Sequence, residues 1–421
     1  MTQQLAYVGM THLGLCSAVA AASKGFPTLC FDPNPERIAA LSTGRLPVVE
    51  PGLDDLFTAN AARLTFSSDP KSLSKSDLVY VAPDVPTDDQ GGSDLGPILS
   101  LLSLIKPNLR PAAVTVILSQ VPPGFSRARA FPDRPFFYQV ETLVFGRAVE
   151  RATEPERFII GCANPEKPLP PAMKTYLHAF NCPILPMRYE SAELAKISIN
   201  CCLVASVTVA NTLAEICERI GADWSEIAPA LKLDRRIGQF SYLSTGLGIS
   251  GGNLERDLVT VNELALAHGT DADLITAFQR NSAHRKDWPL RELHRTILDM
   301  ETDPVIGILG LTYKEDTHST KNSPSLALLA HLHPWSVRHY DPVVAQETTG
   351  HPRATGCASA LDAAAGVDAL VLMTPWPEFR DLDTTALTRA MRGRVLIDPY
   401  RLIAPDHAAA AGLKHITLGT R

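Results

Sequence analysis

The chain has 421 residues, 45% of them hydrophobic and 20% charged, with a formal net charge of −6 at pH 7. At roughly 150 residues per domain this implies two or three domains with ample core, and it argues against a disordered or fibrous chain. The acidic balance without any Lys/Arg block argues against nucleic acid as a partner. No unbroken apolar run reaches the roughly 18–20 residues of a membrane span, and the opening MTQQLAYVGM lacks a signal-peptide pattern, so no membrane partner and a cytoplasmic location are expected.

In chain order, residues 4–9 read as a short buried strand ending in a glycine turn, residues 14–24 as a small-residue helix, and residues 27–31 as a second strand closed by Asp32. Short apolar runs rich in β-branched residues at 77–82, 113–118 and 157–161 read as parallel strands buried on both faces. From about Ser191 to Arg295 such runs vanish, and helical periodicity covers 193–221, 254–267 and 271–284. The β/α pattern restarts at Pro304, with strands expected at 305–310, 337–342, 368–374 and 394–399. The expected fold class is α/β: two Rossmann-like, doubly wound parallel-sheet domains joined by a central long-helix domain, over residues 1–190, 191–300 and 301–421.

Cys16, Cys30, Cys162, Cys182, Cys201, Cys202, Cys217 and Cys357 form no CxxC pair. They are expected to be reduced and mostly buried thiols, with no metal site.

The first turn, Gly9-Met10-Thr11-His12-Leu13-Gly14, has the frame of a dinucleotide fingerprint. Gly9 permits the tight turn and Gly14 the close packing of helix on strand. The middle position, where glycine lets backbone approach a pyrophosphate, is Thr11, whose branched Cβ crowds that approach. Asp32, at the end of the second strand, is placed to accept both ribose hydroxyls and to repel a 2′-phosphate, which selects NAD as the expected cofactor.

Further landmarks lie in fixed order along nearly the whole chain: Glu50-Pro51-Gly52-Leu53, Ser119-Gln120-Val121-Pro122-Pro123-Gly124, Glu141 followed by Gly146, Ala192-Glu193-Leu194-Ala195-Lys196 through Asn200, and Asp234-Arg235-Arg236-Ile237-Gly238. Beyond them come Gly310-Leu311-Thr312-Tyr313-Lys314, Ser323-Pro324, Tyr340-Asp341-Pro342, and Trp376 with Phe379. In content and order they resemble the EPGL, STVPPGT, PEF, AExxKxxxN, DxRIG, GLxFK, SP, YDP and WxxF segments of the UDP-glucose/GDP-mannose dehydrogenase family. The resemblance implies an N-terminal NAD-binding domain, a helical domain that forms a homodimer, and a C-terminal domain for a nucleotide sugar, a UDP-sugar being favoured. Family precedent points to surface polysaccharide or glycosylated natural-product synthesis.

That family oxidises a sugar alcohol to a carboxylate in two NAD-dependent steps. The first needs a base and donors for a developing alkoxide. Lys196 and Asn200 are four residues apart, so one helix face presents both. The resemblance implies catalytic roles for Glu141, Lys196, Asn200, Asn253 and Asp257. It implies cofactor contacts from Gly9, Thr11, His12, Leu13, Gly14, Asp32, Arg37, Thr87 and Ser119. Substrate contacts are implied for Glu141, Lys196, Asn200, Arg236, Tyr242, Gly248, Lys314 and Arg401.

The second step uses a thiolate in a loop of the form GxGFGGSCFPKD. Here that loop reads Gly246-Leu247-Gly248-Ile249-Ser250-Gly251-Gly252-Asn253-Leu254-Glu255-Arg256-Asp257. Asn253 stands at the cysteine position, and an amide forms no thiohemiacetal. Cys201 and Cys202 flank Asn200, but Cys201 points about 100° away from it on the helix. The family's TDDxRxSP segment reads Thr317-His318-Ser319-Thr320-Lys321-Asn322-Ser323-Pro324, and its DGRN segment reads Asp398-Pro399-Tyr400-Arg401. Lys321 does not reproduce an arginine fork, and Arg401 stands one residue from the expected arginine. Three readings follow: an NAD-dependent oxidoreductase acting on a nucleotide sugar without covalent catalysis, a catalytically altered or inactive nucleotide-sugar-binding homologue, and a redox-neutral NAD-assisted sugar-modifying enzyme.

Overall fold

The computed structural model describes residues 3–88 and 91–420. It divides into two compact units, one ending at Ile199 and one beginning at Asn200. Among the described residues, the first unit carries eight strands: β1 (Leu5–Val8), β2 (Thr28–Phe31), β3 (Leu64–Ser67), β4 (Leu78–Val81), β5 (Val114–Ile117), β6 (Phe136–Gln139), β7 (Phe158–Cys162) and β8 (Ile184–Arg188). They form one sheet in the order β3-β2-β1-β4-β5-β6-β7-β8. All neighbours are parallel except β6 and β7, which pair antiparallel, a departure from the all-parallel expectation.

Side-chain alternation explains why this sheet needs cover on both faces. Leu5 and Tyr7 of β1 join one core with Leu15, Val19 and Ala22 of the first helix, α1 (His12–Ser23). Ala6 and Val8 join the opposite core with Ile98, Leu102 and Ile105. The strands expected from 77–82 and 113–118 are β4 and β5, each shorter by a residue at both ends. The strand expected at 157–161 is β7, shifted one residue onward.

The second unit carries β9 (Val305–Leu309), β10 (Ser336–Tyr340), β11 (Ala354–Gly356), β12 (Ala369–Leu372), β13 (Val395–Ile397) and β14 (Lys414–Ile416). These six form a parallel sheet in the order β11-β10-β9-β12-β13-β14. Ile306 and Ile308 face a core with Leu328, Leu329 and Val371, whereas Leu309, Leu370 and Leu372 face one with Ala363, Leu387 and Phe379. Four of the six strands were expected; the two edge strands are short and partly exposed.

A 32-residue helix, Tyr189–Ile220, runs through the middle of the chain, followed by helices Trp224–Leu233, Asn253–His268 and Asp273–Lys286. The long helix corrects the reading that no segment is apolar enough for a membrane: by length and composition it is. Residues 197–214 carry no charged side chain, only small, apolar and uncharged polar ones. Val204 packs against Ile249, Leu258 and Phe278, and Ala210, Ala214 and Cys217 pack against Trp224 and Leu243. Val209, Leu213, Ile216 and Ile220 on the same helix are exposed.

Candidate functional site

The dinucleotide turn joins β1 to α1. Gly9 has φ +94°, and a Cβ on Gly14 would lie 1.9 Å from the Gly9 carbonyl oxygen. Both glycines are therefore fixed by geometry: one by a backbone conformation that L residues disfavour, the other by helix-on-strand contact. Asp32, 2% exposed, lies just past β2. Its Oδ2 accepts the Met10 N–H at 2.7 Å and the Arg37 guanidinium at 2.8 Å, and its Oδ1 accepts the Asn34 N–H at 3.0 Å. Arg37 thus serves in the first turn of the helix α2 (Pro35–Ser42) as the partner of Asp32. Sheet order reverses direction between β1 and β4, the place where such folds take nucleotides. The residues fit a dinucleotide: tight turn, helix N-terminus and acid after β2 are all in place.

Two features of this turn were not expected from the sequence. The His12 ring is buried, with Nε2 2.7 Å from Glu50 Oε1 and its centroid 4.3 Å from that of the Phe145 ring. Glu50 also accepts the N–H groups of Gly146 and Ala148, each at 3.1 Å. The acid of the Glu-Pro-Gly-Leu segment thereby ties α1 to the loop after Glu141. The second feature is Asp84, whose carboxylate sits on the first amides of α1. Parallel pairing of β1 with β4 carries the loop after β4 to this spot, which no signal in the sequence marks.

Ser119 is fully buried and donates to the Pro83 carbonyl at 2.5 Å. Thr87 lies in the loop after β4, bridged to Ser93. Leu13 is buried in the α1 core.

Glu141 lies two residues beyond β6. Its Oε1 is 2.7 Å from Lys196 Nζ, with both side chains mostly buried, and its Oε2 accepts the Leu143 N–H at 3.0 Å. The contact places a carboxylate against an amine in a mostly buried setting, where each offsets part of the other's desolvation cost. Three residues before Lys196, Glu193 is fully buried and accepts the N–H groups of Gly124 and Ser126 at 2.6 and 2.7 Å. The acid of the AExxK segment thus fastens the turn that follows Ser119.

In the second unit, the Asn200 amide donates to Asp257 Oδ2 at 2.5 Å, with both residues buried. Asp257 lies one turn beyond Asn253, the exposed first residue of helix Asn253–His268. Asn253 brings an amide to this end of the helix and no nucleophile. Burial, with the Asp257 charge adding to it, pushes the neighbouring Cys201 thiol up to about 11. The thiol is therefore protonated at neutral pH.

Glu255 pairs with Lys286 at 2.7 Å and accepts from Asn322 Nδ2, which also reaches the Gly251 carbonyl at 3.1 Å. Glu255 differs from the family pattern and Asn322 follows Lys321, which also differs, so the bond between Glu255 and Asn322 joins the two altered segments. Gly248 has φ +78°, and a Cβ there would lie 2.5 Å from the Ser282 carbonyl.

The remaining candidates are dispersed. Arg236 is 89% exposed at its side chain and pairs with Asp234, while Tyr242 is 54% exposed. The Lys314 ammonium stands 6.0 Å from the Tyr313 ring. Arg401, held at φ +52°, is spent on Asp223 at 2.8 Å and Ser225 at 2.7 Å.

Three domain models of one family match the chain: UDP-glucose/GDP-mannose dehydrogenase family, NAD binding domain, over residues 3–178, central domain over 190–283, and UDP binding domain over 307–405. UDP-glucose 6-dehydrogenase TuaD of Bacillus subtilis (strain 168) is 28% identical, with 99% of this chain and 93% of that protein aligned. UDP-glucose 6-dehydrogenase of Rhizobium meliloti (strain 1021) is 29% identical, with 99% of each aligned. Among solved structures, a UDP-glucose dehydrogenase from Pyrobaculum islandicum superposes with a TM-score of 0.85 at 24% identity, covering 99% of this chain and 97% of that one. At that identity the likeness shows the fold.

Proposed function

The chain belongs to the UDP-glucose/GDP-mannose dehydrogenase family, and from that premise we propose that it is an NAD-dependent oxidoreductase that oxidises a nucleotide sugar, a UDP-sugar by preference, without a covalent cysteine step. The observation that carries this reading is the retained polar set: the Glu141–Lys196 ion pair and the Asn200–Asp257 hydrogen bond. Bound NAD supplies the hydride acceptor. Lys196 and Asn200, one turn apart on the long helix, supply an ammonium and an amide for the oxygen that gains charge as the alcohol is oxidised. Glu141 holds Lys196 in place and offers a carboxylate for the hydroxyl proton or for a water on the carbonyl product. Asp257 fixes the orientation of the Asn200 amide. With Asn253 at the head of its helix, oxidation ends at a carbonyl unless Glu141 activates water for a second step.

The domains in this reading are residues 1–190 for NAD, 191–300 for dimerisation and 301–421 for the nucleotide sugar. Val209, Leu213, Ile216 and Ile220 form the apolar stripe expected of a homodimer face, in a cytoplasmic enzyme. The test is NADH formation by purified protein with a panel of UDP- and GDP-sugars. The reading requires NADH from at least one UDP-sugar and its loss in Lys196→Ala.

A second reading, a nucleotide-sugar-binding homologue with little turnover, is favoured by one observation: the Asp84 carboxylate on the α1 amides. Sugar binding by calorimetry with no NADH from any sugar would support it.

A further inference from the structure

The two irregularities at the dinucleotide turn are one structure. Thr11 is the N-cap of α1, yet its side chain bonds none of the α1 amides. Its Oγ1 instead accepts the backbone N–H of Asp84 at 2.7 Å. The Asp84 carboxylate takes over the capping from outside the helix: Oδ2 accepts the His12 N–H at 2.9 Å and Oδ1 the Leu13 N–H at 3.3 Å. The loop that presents it is fixed in place. A Cβ on Gly9 would lie 2.9 Å from the Pro83 nitrogen, and buried Ser119 holds the Pro83 carbonyl.

Those α1 amides are the donors that a dinucleotide pyrophosphate uses in this type of fold. A carboxylate on them occupies the same donors with the same sign of charge. We propose that Asp84, held by Thr11, is an intramolecular competitor for the pyrophosphate and sets the NAD affinity of this chain. NAD and the Asp84 carboxylate exchange on the His12 and Leu13 amides, and the Asp84 side chain, being exposed, is free to leave. Once displaced, it still opposes the pyrophosphate by like-charge repulsion at short range. The inference rests on the NAD reading of the first unit and concerns affinity, so it stands or falls apart from sugar turnover.

The test is calorimetric binding of NAD, ADP-ribose and adenosine to the full-length wild type, Asp84→Asn and Asp84→Gly, with folding checked by thermal unfolding. Asp84→Asn removes the charge and keeps the shape; Asp84→Gly removes both. Both variants are expected to bind NAD and ADP-ribose about tenfold more tightly or better, equivalent to ~1.4 kcal/mol or more, with adenosine affinity unchanged. NAD affinity unchanged or weakened in both variants overturns the proposal, as does equal tightening of adenosine, or no NAD binding by any of the three proteins. Tightened NAD binding with no sugar oxidised supports the competitor role and removes only the oxidoreductase reading.

Discussion

Asn200 donates its amide to Asp257 at 2.5 Å, and Asp257 lies one turn beyond Asn253 on its helix. The bond fixes which way the Asn200 amide points, and it ties the long helix to the helix that would carry a nucleophile.

Asn253→Cys is therefore expected to add a second oxidation. The variant should raise the NADH formed per sugar above the wild-type value and become sensitive to iodoacetamide. An unchanged yield in a folded variant would mean that the departures at Glu255, Arg256 and Lys321 also removed the geometry for that step.

On the proposed function, Lys196→Ala removes one donor to the developing alkoxide, and it takes away the ammonium that faces Glu141. Loss of one such donor costs about 100-fold or more in kcat. Steady-state kinetics with the best sugar should show that loss in kcat, with KM changed far less. Lys196→Arg, which keeps the charge but not the compact ammonium, should recover only part of it.

Cys201 tests the absence of a relocated nucleophile. The folded chain holds this thiol near 11, so its neutral form dominates below that pH and the thiolate grows only as pH rises toward it. Alkylation at Cys201, followed by mass spectrometry, should be slow at neutral pH and accelerate toward pH 11. Cys201→Ser should form NADH at the wild-type rate. Rapid alkylation at neutral pH with parallel loss of activity would contradict the assignment.

Gly248→Ala places a methyl group 2.5 Å from the Ser282 carbonyl at a φ that L residues disfavour. The strain should cost ~1–3 kcal/mol, read as a lower thermal unfolding midpoint. Activity should fall with it, because Gly248 sits in the loop leading to Asn253.

Strands β1, β2, β4, β5 and β7 were legible because each is a buried run of apolar residues. β8 was not: three of its five residues, Leu185, Pro186 and Arg188, are exposed, and Pro186 sits where only an edge strand tolerates it. β6, antiparallel to β7, follows a polar, proline-broken stretch that reads as loop. Among the candidate residues, Glu141, Lys196, Asn200 and Asp257 were singled out by motif, but their contacts, Glu141 with Lys196 and Asn200 with Asp257, could not be read from it. Asp84 was illegible because an acid in a polar loop after a strand reads as solvated surface; only the pairing of β4 with β1 brings it to α1. The Arg401 contacts were equally illegible: its motif position says nothing of Asp223 and Ser225, which lie about 180 residues earlier and bond its guanidinium.

The central claim is hydride transfer from a nucleotide sugar without a cysteine. It is tested most directly by the yield of NADH per sugar consumed, taken to exhaustion with excess NAD and the best UDP-sugar. The account predicts one NADH per sugar, with a carbonyl product that hydrazide reagents trap. No NADH from any UDP- or GDP-sugar, with sugar binding intact, would contradict it.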